Sequence, residues 1–122
     1  MATKDINALP FTKDFSIRQG DDLLYRFQVQ INETNSDLTT CTLKFSVSNW
    51  SGTAQITSQT ITPDTAASGQ ATLRFTAAQT ATWAGQYRHE VQVIWPVGHA
   101  DIAEGATKTY IAGTTSVTVD IV

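Results

Sequence analysis

Charge, cysteine, histidine and proline are all scarce in this chain. Only 16% of its 122 residues are charged, well under the roughly 25% of an average soluble protein. A formal net charge of -3 argues against non-specific nucleic-acid binding and against a polybasic membrane contact. One cysteine, Cys41, rules out an internal disulfide and agrees with a core that needs no staple. The only histidines, His89 and His99, have no cysteine or paired carboxylate at metal-ligand spacing beside them. No apolar run approaches the roughly 20 residues of a membrane span, and Met1 to Pro10 lack the apolar stretch of a secretory signal. The expectation is a chain made in a cytoplasm and kept or assembled there.

What the chain has in quantity is threonine, twenty residues of it, with many Ser, Gln and Asn besides. Its surface is therefore expected to be rich in hydroxyls and amides. The length fits one domain with one core. A chain of this size buries roughly two thirds of its unfolded surface, enough for stability without metal or disulfide.

Residues 1–14 show no strand or helix periodicity and are read as an extended arm; 15–122 are read as the domain. Short runs alternating apolar with polar residues, separated by Gly, Asp, Asn and Ser, mark half-buried antiparallel strands. Phe15 to Arg18 is the first, closed by Gly20-Asp21-Asp22. Leu23 to Ile31 is the clearest, with Tyr25, Phe27, Val29 and Ile31 on one face and Arg26, Gln28 and Gln30 on the other. After a polar loop to Thr40, Cys41 to Ser48 turns Leu43, Phe45 and Val47 inward. Ala54 to Ile61 is weakly patterned and suits an edge strand, and Gln70 to Phe75 turns Leu73 and Phe75 inward.

At Thr76-Ala77-Ala78-Gln79 the period changes. Ser or Thr followed three residues later by Glu or Gln is a capping box, in which side chain and backbone bond reciprocally. One or two helical turns are expected before Gly85. Gln86 to Trp95 is again a strand, with Tyr87, His89, Val91, Val93 and Trp95 inward, ended by Pro96. A long loop leads to Lys108 to Ile111, then an irregularity at Ala112-Gly113 and a last strand, Ser116 to Val122. Seven or eight short strands with one helical corner argue for an all-β antiparallel sandwich, with an up-and-down barrel as the rival. Tyr87, two residues after Gly85 and entering a strand from a corner, looks like the tyrosine corner of immunoglobulin-like domains. His89 stands where their disulfide cysteine would be.

No residue pattern signals catalysis. His89 is expected as a hydrogen-bonded core or boundary residue and Cys41 as a small core or boundary residue, and no Gly-x-Ser-x-Gly elbow is present. An enzyme would require His89 or His99 in a pocket with a carboxylate in reach. Among Trp50, Trp83, Trp95, Tyr87 and Tyr110, only Trp50 falls outside a core or corner position, which makes it the candidate for stacking a sugar ring. Arg18, Arg26, Lys44, Arg74 and Arg88 sit at outward strand positions, whereas most acids lie in loops. If the first, second and fifth strands share a sheet, Arg18, Arg26 and Arg74 lie on one outer face. That face is either a staggered solvated surface or a dock for an acidic partner. In the arm, Leu9 and Phe11, with Ile6 out of step, are candidates for adding to a neighbour's sheet edge.

The order of these features resembles small phage tail and baseplate domains, similar to the N-terminal domain of siphophage baseplate upper proteins. The residues that carry the resemblance are Ile17 to Asp22 followed by Leu24 to Ile31, Asp37-Leu38-Thr39 leading to Phe45, Thr76 to Tyr87, and Gly113 with Val117-Thr118-Val119. The match spans about residues 15 to 122 and departs in the loop Pro96 to Lys108, which carries no recognisable binding signature. The resemblance implies an immunoglobulin-like sandwich serving as a virion building block in a tail, baseplate, collar or decoration. It would be non-enzymatic, without cofactor or metal, and partnered by other virion proteins as a homo-oligomer or part of a larger assembly. A carbohydrate-binding or adhesin-type module recognising host glycan is the alternative.

Overall fold

The computed structural model describes residues 11–31, 34–100 and 102–119. Strands β1 (Phe11–Thr12), β2 (Phe15–Arg18), β3 (Leu23–Gln28), β4 (Gln30–Ile31), β5 (Thr34–Asn35), β6 (Thr42–Asn49) and β7 (Ala54–Ile61) precede a 3-10 turn at Ala66–Ser68. Then follow β8 (Gln70–Phe75), a single helical turn α1 (Ala77–Thr80), β9 (Gly85–Trp95) and β10 (Ala106–Thr118). The large sheet runs β1-β10-β9-β6-β7, with β2 also on β10; among the described residues β3 pairs with β8 alone, and β4 with β5. The main ladders are antiparallel, whereas β1 and β2 run parallel to β10 along its outer edge.

The two layers meet through the inward positions that alternation predicts. Leu43, Phe45 and Val47 of β6, Val91 and Val93 of β9, and Leu73 and Phe75 of β8 are all at most 3% exposed. Phe75 is the aromatic centre, with ring centroids 5.7 Å from Phe45, 5.3 Å from Trp83 and 6.3 Å from Phe15. The capping box forms as its sequence requires: Thr76 Oγ1 accepts from Gln79 N–H and the Gln79 side chain accepts from Thr76 N–H. One turn later the Tyr87 hydroxyl accepts from Ala84 N–H at 2.8 Å and donates to Ala84 O at 3.1 Å. This is the tyrosine corner of an immunoglobulin-like sandwich.

Several details differ from the sequence reading. The strand expected over Leu23 to Ile31 is interrupted at Val29, whose N–H donates to Gly69 O while its carbonyl accepts from Ser36 N–H. The flanking groups turn to Tyr110, whose hydroxyl donates to Gln28 O and accepts from Gln30 N–H. The irregularity expected at Ala112-Gly113 lies earlier, at Tyr110, where the register shifts between Thr109 and Ile111. That bulge lets Tyr110 and Ile111 both point inward. Ala112 and Gly113 continue the ladder opposite Glu90 and His89. The segment after Pro96 is folded on itself, with Gly98 N–H donating to Ala103 O and with His99 and Ile102 buried.

Candidate functional site

The charged face expected of three arginines is divided by the pairing. Because β2 lies on β10 and not on β3, Arg18 belongs to the large sheet, and only Arg26 and Arg74 share the small one. Leu24 stands opposite Arg74 and Arg26 opposite Thr72, so the two guanidinium groups are diagonal rather than opposed, which lowers their repulsion. Leu24 is 65% exposed between them. Arg74 Nη2 lies 3.9 Å from Asp22 Oδ1, a carboxylate that also accepts from Ala77 N–H. Arg26 borders an open groove of about 650 Å³ shared with Gln28, Asp64, Gln70 and Thr72. There Asp64 accepts from Thr72 Oγ1 at 2.5 Å, so the groove carries both signs of charge.

Of the arm candidates, Ile6 and Leu9 lie outside the described residues. The main chain of Phe11 and Thr12 pairs in parallel with Ile111 and Ala112 of the same chain. Lys13 N–H then donates to Ala112 O, and Asp14 Oδ1 accepts from Thr114 N–H. Residues 11–14 are thus laid along the edge of the domain's own β10.

His89 is 1% exposed and holds that segment in place. Its Nε2 lies 2.7 Å from Lys13 O, which can only accept, so Nε2 carries the proton. Its Nδ1, 2.7 Å from Thr115 Oγ1, accepts in the neutral ring. Burial pushes the His89 pKa down, opposed by the Lys13 carbonyl and the Asp14 charge. Both ring nitrogens are therefore engaged in structure. His99 is also buried, and its Nε2 donates to the main-chain carbonyl of Asp37, on which the half-buried Cys41 Sγ also converges at 3.7 Å. Among the described residues, no three His, Cys, Asp or Glu side chains gather as a metal site.

Trp50 is 52% exposed, against 2% for both Trp83 and Trp95. The other aromatics of the candidate platform, Tyr87 and Tyr110, are buried as well. Trp50 sits at the tip of the β6–β7 hairpin, where Asn49 Oδ1 accepts from Ser51 N–H and Thr53 N–H, and Gly52 turns with φ +89°. The Arg88 guanidinium carbon lies 4.1 Å from the centroid of its indole. Register puts Arg88 between Ser48 and Thr114, and the next outward residue of β9, Glu90, between Ser46 and Ala112. Thr12 lies beyond Ala112. Two charged side chains thus rise from rows of small neighbours, bordering a groove of about 390 Å³ that reaches from Trp50 to Thr12. Alternation located Trp50 and Arg88 separately; their contact follows only from the β6–β9 register.

No family model and no curated protein matches this chain. A solved structure that does match is the N-terminal domain of phage TP901-1 ORF48. It superposes with a TM-score of 0.56 over 87% of this chain and 85% of that one, at 9% sequence identity. At that identity the likeness is one of fold, and it bears out the phage-domain resemblance carried by the sequence motifs.

Proposed function

We propose that this protein is a structural component of a bacteriophage virion, in a tail, baseplate, collar or decoration assembly, acting through protein–protein contacts without catalysis. The observation that carries the reading is the fold shared with a phage domain over nearly the whole chain. Supporting it, both nitrogens of His89 are spent on holding the amino-terminal segment, and a nucleophilic mechanism would need such a base free to move a proton. The outer face of the small sheet, with Arg26 and Arg74 staggered about Leu24, meets an acidic surface of a neighbouring virion protein. Arg18, on the other sheet, makes a separate contact. The arm, with Ile6 and Leu9, adds to a neighbour's sheet edge, while Phe11 stays paired on the domain's own β10, giving a homo-oligomer or a link into a larger assembly. Such contacts call for no cofactor, nucleic acid or membrane.

The test is to purify particles of the phage encoding this chain through a density gradient and identify their proteins by mass spectrometry. Immunogold labelling of an epitope-tagged copy then locates it. The chain is expected in fixed proportion to the other virion proteins and at one position on the particle. Its absence from washed particles would overturn the reading.

A further inference from the structure

We propose that the groove beside Trp50 on the outer face of the large sheet binds a neutral saccharide. Trp50 would pack against a sugar ring at the part of its indole that Arg88 leaves open, and the outer N–H groups of Arg88, with Glu90 and Thr114, would bond its hydroxyls. The indole is displayed from a hairpin tip whose backbone is tied to Asn49, so little loop ordering is needed on binding. Arg88 covers one face of the ring at 4.1 Å, and half of the residue remains open to solvent. An exposed indole so fixed is a stacking surface for an apolar sugar face, as aromatic rings are for other flat partners.

The polar groups select the ligand class. Arg88 and Glu90 stand two residues apart on one face of β9, about 7 Å along the strand, and make no ion pair with each other among the described contacts. One offers donors and the other acceptors. Their charges cancel, so the groove favours neither an anion nor a cation. Ala112 and Thr114 keep the floor low, and Thr12 supplies a hydroxyl at the far wall. The volume of about 390 Å³ lies at the small end of the usual range for small-molecule sites, suited to a mono- or disaccharide. A neutral polyol satisfies donors, acceptors and the indole together. Trp and Arg are also frequent anchors of protein interfaces, so a protein occupant is the competing outcome.

The inference goes beyond the virion reading and does not depend on it, because binding is measured on the purified chain alone. The 15N-labelled protein would be titrated with lactose, maltose, cellobiose and chitobiose. The expected result is a shift of the Trp50 indole N–H and of the Arg88, Glu90 and Thr114 amides with at least one disaccharide. Binding should weaken tenfold or more in Trp50→Ala and Glu90→Gln, with the rest of the spectrum unchanged. Trp83 and Trp95 are buried, so a fluorescence change on titration reports Trp50. No shift at about 20 mM of any probe, some twenty times a millimolar Kd, would overturn the proposal. So would binding that survives Trp50→Ala, or cross-linking in particles that seats a virion protein over Trp50.

Discussion

Lys13 and His89 are joined across 76 positions by one hydrogen bond, the ring Nε2–H donating to the Lys13 carbonyl at 2.7 Å. The bond ties the amino-terminal segment to the centre of β9. Phe15, two residues on, packs against the same imidazole with centroids 4.7 Å apart and the rings tilted by 32°. The position that carries a disulfide cysteine in other sandwiches of this kind here carries a polar clamp on the chain's own edge strand.

That clamp makes stability depend on pH. The native ring resists protonation because it is buried, so its pKa lies below the ordinary 6.5, while the unfolded chain takes up a proton near that value. The unfolded state then binds more protons within that interval. Stability is expected to be level above about pH 6.5, and to decline as the pH falls through the lower native pKa. Urea denaturation from pH 8 to 5 should show this slope. His89→Gln, which keeps a donor but does not titrate, should be less stable at pH 8 and flatter below it. Parallel slopes in the two proteins would contradict this account.

Gly113 is required by close approach rather than by a positive φ. A Cβ there would meet the Lys13 carbonyl and Asp14 Oδ1, the first being backbone that His89 holds fixed. Gly113→Ala should cost about 1–3 kcal/mol, as overpacking does elsewhere. It should also speed amide exchange at Lys13 and Thr114, whose N–H groups bond Ala112 O and Asp14 Oδ1. Denaturation and hydrogen exchange measure both; an unchanged midpoint would show that the segment shifts freely.

Local order was legible in the residues and long-range order was not. The alternation around Phe45, Leu73 and Val91, the capping box at Thr76 and the tyrosine corner at Tyr87 each depend on neighbours within a few positions. The condition that would place Arg18 on one face with Arg26 is not met, and it could not be judged from the residues because strand pairing is non-local and nothing in Phe15 to Arg18 says that it runs parallel to β10. Leu38 and Ile102 are each 1% exposed yet sit singly in polar loops, where no period marks them. The bulge falls at Tyr110, whose hydroxyl bonds Gln28 and Gln30 some eighty residues away, a contact that no local pattern marks.

The two structural tyrosines should differ in cost. Tyr87→Phe frees the N–H and C=O of Ala84, an exposed residue that water can reach, so a loss of about 1 kcal/mol is expected. Tyr110→Phe leaves Gln28 O and Gln30 N–H unpartnered beside the core, with an expected loss of about 2 kcal/mol. Denaturant midpoints at constant slope would measure both, and the reverse order would mean that the corner is the more rigid of the two.

Assembly can be separated from folding by choosing changes that leave the clamp alone. Removing residues 2–13 would strip the β1 pairing and the Lys13 N–H bond from β10, so lost assembly could reflect lost stability. Removing residues 2–10 keeps both. If the arm links neighbours, this shorter deletion should abolish oligomers in light scattering while leaving the denaturation midpoint in place. The second contact is probed by Arg26→Glu with Arg74→Glu. Both side chains are exposed and the Arg74–Asp22 pair is long, so stability should change by no more than about 1 kcal/mol. Binding to an acidic partner should fall steeply, and in the parent protein it should weaken as salt is raised. Incorporation into particles that survives both the deletion and the charge reversals would remove the arm and the small sheet from the interface together.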